Sequence, residues 1–237
     1  MAGFIHIGST TFPAIERPRP GACRYRDLGR RRGLMFYSTD SNRHGLAHDP
    51  FKAIVSPRPI GWIGSKGGDG SINLAPYSFF NAVSDRPKLV MFSSSGRKDS
   101  QRNAAETGAF TCSFVSRNLA EKMNLSSAAL PYGDSEFDFA GLTPKQAELV
   151  DAPYVGEAFA VLECKVTEII EPKTLSGQPS ENVFVFGEVV GIHLDEAIVR
   201  DGRIDMSLAR PVARLGYMDY SETSEVFEMF RPRSQQG

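Results

Sequence analysis

The chain has 237 residues, 41% hydrophobic and 23% charged, a balance that can bury the core of one large domain. No run approaches the roughly 18 apolar residues of a membrane span, and Cys23, Cys112 and Cys164 are an odd number at wide spacing, with no C-x-x-C to build a zinc site. The net charge of -1 is uneven: residues 1–34 hold seven Arg against Glu16 and Asp27, so this head is +5 and the body -6, which argues against a nucleic-acid backbone surface.

The head has no apolar h-region of secretory type, although its low acid content faintly resembles a transit peptide. Met35 reads as a domain's natural start. Residues 1–34 are therefore expected to be an Arg-rich disordered extension, and 35–237 a single domain. The cysteines fit a reducing cytoplasm, with Cys112 and Cys164 as small core residues on strands.

From Met35 to Pro50 the turn formers Asn42, Gly45, Asp49 and Pro50 predict an irregular lead-in. His44 and His48 have the spacing of a helical metal pair but lack the Glu of H-E-x-x-H, so no metal is expected. Phe51–Ser56 and Ile60–Lys66 read as short strands joined through Pro57-Arg58-Pro59. Gly67-Gly68-Asp69-Gly70 reverses the chain into a strand over Asn73–Phe80. Gly61, Gly64 and Gly67 lack the dinucleotide spacing, and no P-loop Gly-Lys-Ser/Thr follows.

Beyond a turn at Ser84-Asp85-Arg86-Pro87, Lys88–Ser93 is a strand. A helix capped by Asp99 or Ser100 runs to Thr107 and is ended by Gly108. Ala109–Val115 is a strand, Ser116 to about Asn124 a short helix with Leu119 and Met123 on one face, and 126–142 a long loop. Thr143-Pro144-Lys145-Gln146 has the form of a helix start. Glu157–Ile170 and Val183–Leu194 are long apolar strands that can pair as an antiparallel hairpin, and a last short helix is expected over Ser221–Met229. Many strands without regular β-α-β alternation favour an antiparallel barrel.

Two stretches carry the chemistry. Asn73-Leu74-Ala75-Pro76-Tyr77-Ser78-Phe79-Phe80 is too apolar for an exposed loop and too rich in Pro and hydroxyls for an ordinary buried strand. It suits a strand whose backbone faces a flat ligand with polar edges, read here as a flavin. Small Ala75 and the bend at Pro76 let amides approach the ring edge. Ser93-Ser94-Ser95-Gly96-Arg97-Lys98-Asp99-Ser100 lies between a strand and a helix, where Lys98, the hydroxyls and helix N-terminal amides can neutralise a phosphate. Tyr77 and Phe79 serve equally as core aromatics, and Trp62 as core or pocket wall.

These motifs, with Ser-Pro-Arg-Pro-Ile-Gly-Trp at 56–62 and Gly-Glu-Val-Val-Gly-Ile-His at 187–193, resemble the flavin reductase-like, FMN-binding split-barrel family, in order from about Met35 to Tyr220. The resemblance implies a mainly β, six-stranded antiparallel Greek-key split barrel with a few short peripheral helices. It implies a homodimer with FMN near the interface. The activity implied is flavin reduction by NADH or NADPH, often for a partner monooxygenase component. It also puts Arg58 and Pro59 at the flavin pocket, beside Asn73, Ala75, Pro76, Tyr77, Ser78, Ser93, Ser94, Ser95, Lys98, Asp99 and Ser100. His193 is either a group on the nicotinamide side or a satisfied barrel histidine. A flavin-carrying electron-transfer or storage protein without nicotinamide turnover fits the same residues. An oligonucleotide-binding barrel needs a basic groove, which the body's charge opposes.

Overall fold

The computed structural model describes residues 33–131 and 133–232, so nearly all of the Arg-rich head lies outside the described residues. Residues 1–45 and 46–237 are separate units. Residues 33–45 form no helix or strand, as the turn formers predict; a turn there is closed by the Asn42 N–H donating to Ser38 O at 2.9 Å.

The second unit is built on one antiparallel sheet of seven strands: β1 Gly61–Lys66, β2 Ile72–Tyr77, β3 Phe80–Asp85, β4 Lys88–Ser95, β5 Ala109–Ser113, β6 Ala160–Ile170 and β7 Asn182–Leu194. Their order is β2-β1-β5-β6-β7-β4-β3. The mainly β split-barrel class holds, with seven strands where six were expected. The sheet curls on itself: the Tyr77 ring on edge strand β2 packs against Phe92 of β4 near the opposite edge, with centroids 4.9 Å apart. Register shifts at Phe186/Gly187 and Val189/Gly191 add local twist to β7, the longest strand, which helps the sheet close.

Ile63, Phe92, Phe110, Cys112, Cys164 and Val185 fill the inside of the curl, while Trp62, Leu74, Met123, Phe137 and Val155 form a second cluster outside it. Strand β1 is buried on both faces, Trp62 on one and Ile63 on the other. That is why its sequence is apolar without alternation. Gly64 is required there, because a Cβ would lie 2.1 Å from Pro153 O.

Helix α2, Asp99–Thr107, ends on Gly108 at φ 71°, as its sequence predicts, whereas its cap does not follow prediction. Lys98 is the N-cap, and its side chain has no acceptor, so no side chain caps the helix; Asp99 and Ser100 fall inside it, and the Ser100 hydroxyl accepts from Asn73 Nδ2 at 2.8 Å. Leu119 and Met123 are buried together as expected, ahead of and within α3, Ala120–Leu125.

Four local expectations fail. Phe51–Ile54 is not a strand but a single helical turn, α1, because Asp49 Oδ1 accepts the Phe51 N–H at 2.8 Å and Pro50 O accepts from Ala53 and Ile54. Phe80 opens β3 rather than closing β2, so a hairpin partner of β4 lies before the turn at Asp85-Arg86. Pro144–Gln146 pairs with Pro153–Val155 as strand, since the Thr143 hydroxyl that would cap a helix donates to Glu157 Oε1 at 3.0 Å. Tyr220–Glu222 pairs with Val212–Arg214 and residues 223–232 form no helix or strand, so the last helix expected over Ser221–Met229 does not form. Within the expected loop, Glu136–Phe139 forms a further helical turn, α4.

Candidate functional site

The two chemistry-bearing stretches meet. A cleft of about 830 Å3 is bordered by Asn73, Ala75, Pro76, Tyr77, Ser78 and Phe79 on one side and Ser93, Ser95, Lys98, Asp99 and Ser100 on the other. The curl of the sheet brings the end of β2 against the end of β4 and the start of α2. Among the lining residues that sequence reasoning did not single out are Glu136 on α4, and Asn182, whose Nδ2 donates to Ser93 Oγ at 2.8 Å. Both come from distant parts of the chain, and no local pattern marks them.

At the serine-lysine end, Lys98 and Ser95 are exposed, and Lys98 pairs with no carboxylate among the described residues. Asp99, the nearest acid in sequence, is engaged by Arg102 at 2.6 Å, which limits its repulsion of an incoming anion. The uncapped first turn of α2 leaves backbone N–H groups at the same end. At the strand end, Pro76 sits on edge strand β2, where a residue lacking an N–H is tolerated. Tyr77 is neutral: burial pushes its hydroxyl pKa up, against contacts with Ser100 and Ser94 that pull it down.

Glu136 is buried, and its Oε2 accepts the Leu74 N–H of the edge strand at 3.0 Å. Burial raises its pKa, the Leu74 N–H works in the opposite direction, and Asp99 adds to the rise. The fold therefore favours the protonated acid. The cost of burying the charged form is present at neutral pH and fades as pH falls through the raised value towards the ordinary 4.5. Glu136→Gln keeps an acceptor for Leu74 and should melt higher than wild type at neutral pH, with the difference closing in acid. Thermal melts of both proteins across pH check this; a difference constant with pH would contradict it.

Three expected residues are not brought to this cleft. Ser94 is fully buried and donates to Gly96 O at 2.8 Å, so it shapes the turn. Pro59 is exposed and pairs with Ala213. Arg58 borders a neighbouring cleft. His193 is also absent from the cleft: it lies toward the far end of β7 from Asn182, with Nε2 2.5 Å from Glu163 Oε1 and its ring 4.8 Å from that of Tyr154. Its hydrogen bond is satisfied within the barrel wall. Burial pushes the Glu163 carboxyl up, but the amides of Glu148 and Leu149 together with His193 hold it below its usual range.

Cys112 and Cys164 are buried and free, and burial pushes the Cys112 thiol up to about 12, as befits core residues. No metal-ligating cluster occurs among the described residues, and none of their helices is long and apolar enough to cross a membrane.

Residues 55–212 match the family described as flavin reductase like domain. An uncharacterized protein of Halalkalibacterium halodurans is 36% identical over 183 residues, covering 75% of this chain and 87% of its own length. Nitrilotriacetate monooxygenase component B from Bacillus cereus is 31% identical with a TM-score of 0.74, over 83% of this chain and 100% of that one. Flavoredoxin of Desulfovibrio vulgaris (Miyazaki F) is 26% identical with a TM-score of 0.63, over 77% and 93%.

Proposed function

Because this chain belongs to the flavin reductase-like family, we propose that the cleft holds FMN and that the protein is an NAD(P)H-dependent flavin oxidoreductase. The observation that carries this reading is the convergence of Lys98, Ser95 and the uncapped start of α2 with the proline-bearing edge strand in one cleft. The residues fit the cofactor's parts. Lys98 supplies a charge, Ser93, Ser95 and Ser100 supply hydroxyls, and α2 supplies N–H groups for a phosphate. Asn73, Ala75, Pro76, Tyr77 and Ser78, with Glu136 on the same cleft, would hold the ring system.

Flavin bound there would supply the redox chemistry, with NADH or NADPH as the hydride donor. The chain binds and orients it. Asn73 is held by Ser100 at 2.8 Å, and Ser93 by Asn182 at 2.8 Å, so both walls are fixed before a ligand arrives. Hydride transfer needs no acid-base residue, and His193, held by Glu163 away from the cleft, is not assigned a role in it. A homodimer, a partner monooxygenase and a cytoplasmic location complete the reading; similarity to a monooxygenase component B supports the partner, and the free buried thiols support the reducing compartment.

Similarity to a flavoredoxin favours a second reading, a flavin-bearing electron carrier on the same fold. Steady-state oxidation of NADH and NADPH with added FMN separates the two. Turnover with either nucleotide is expected. A yellow protein that oxidises neither would establish the carrier.

A further inference from the structure

Glu136 is the point in the cleft where charge and burial conflict. The residue is only 7% exposed, yet it borders the cleft from α4, and its Oε2 accepts the Leu74 N–H of β2 at 3.0 Å. It forms no ion pair among the described residues. The other ionisable groups around it are accounted for. Asp99 on α2 adds negative charge nearby but is itself held by Arg102 at 2.6 Å. Tyr77 on β2 keeps its proton, because burial pushes its pKa up. Lys52, Lys98 and Glu181 on the same cleft are exposed, as is Asp138 on α4, so water screens their charges. Lys122 of α3 donates to Gly141 O.

A buried carboxylate without a cation is costly, and an anion entering the same cleft makes its ionised form costlier still. A phosphate monoester carries close to two negative charges at neutral pH. Lys98 and the first N–H groups of α2 can answer that charge, but the one donor to the Glu136 carboxylate from another element is the uncharged Leu74 N–H. A proton from solvent at Glu136 removes the conflict. Burial already moves the carboxyl in that direction, against the Leu74 N–H and with Asp99.

We propose that Glu136 takes up a proton from solvent as FMN enters, so that the cleft meets the phosphate with a neutral carboxyl and holds the cofactor more tightly in acid than in base. This rests on the flavin reading of the cleft. By linkage, a site that gains a proton on binding loses up to about tenfold in affinity per pH unit, across the window between its free and bound pKa values. Above that window Glu136 is ionised in both states, and below it protonated in both, so no proton is gained on either side. The second ionisation of the phosphate, at about 6, is common to wild type and a Glu136 variant and cancels in the comparison.

Calorimetric titration of the full chain with FMN, in buffers of differing ionisation enthalpy from about pH 5 to about pH 9, counts the protons. Over part of that range wild type should take up as much as about one proton per FMN more than Glu136→Gln. Across the same part, wild-type affinity should fall relative to the variant's as pH rises. Gln keeps an acceptor for the Leu74 N–H but does not titrate, so a purely structural role for Glu136 would move neither readout. Glu181→Gln should keep the wild-type uptake. Equal proton counts in wild type and Glu136→Gln at every pH, or loss of the uptake in Glu181→Gln instead, overturns the inference and leaves the flavin reading standing. A wild-type chain that binds no FMN sinks both.

Discussion

Phe92→Ala should destabilise the folded chain by about 3–5 kcal/mol, the usual cost of removing a fully buried aromatic ring from a core. Phe92 has no solvent exposure, and its ring lies 4.9 Å from that of Tyr77 and 5.2 Å from that of Phe110. Those two neighbours belong to β2 and β5, so the ring ties both sides of the curl to β4. Deleting it leaves a cavity that only a shift of whole strands could close. Denaturant unfolding should show a lower midpoint with an unchanged slope. A loss under about 1 kcal/mol would mean that the inside of the curl is not close-packed. Tyr77 also borders the cleft, so FMN affinity should fall along with stability.

Lys98→Ala should weaken FMN binding by about 1–3 kcal/mol, the size of a charge-assisted hydrogen bond. The residue is exposed, caps α2 through its backbone and makes no ion pair among the described residues, so stability should hardly change. The loss should be specific to the phosphate: riboflavin, which lacks one, should bind wild type and variant alike. Fluorescence titration with both ligands checks this. FMN affinity unchanged in the variant would remove the serine-lysine turn from the site.

Much of this arrangement is legible in the sequence where the signal is local. The long apolar runs of β6 and β7 and the Gly67–Gly70 reversal are written in short-range patterns, as is the stop of α2 at Gly108. Long-range competition defeats such patterns elsewhere. Thr143-Pro144 has the form of a helix start, but the carboxylate of Glu157, fourteen residues away, takes its hydroxyl and the segment pairs with Pro153–Val155. Ser100 looks like a cap and is instead held by Asn73 across the cleft. Ten of the residues expected at the flavin do line one cleft, because each stretch carries its own chemistry in a contiguous motif. Glu136 and Asn182 join them only through tertiary folding; Glu136 lies in the loop expected over 126–142, where no local pattern marks a carboxylate that reaches the Leu74 N–H on an edge strand.

The gap between Arg58 and the serine-lysine turn has a similar origin. Its position between two prolines marks it as special, yet which cleft it faces is decided by its pairing with Arg214, more than 150 residues later.

A crystal structure of the chain with FMN tests the central claim most directly. The account predicts the phosphate within hydrogen-bonding reach of Lys98, Ser95 and the first N–H groups of α2, with the rings lying along Ala75–Ser78. Flavin bound anywhere else, or with its phosphate turned away from that loop, would contradict it.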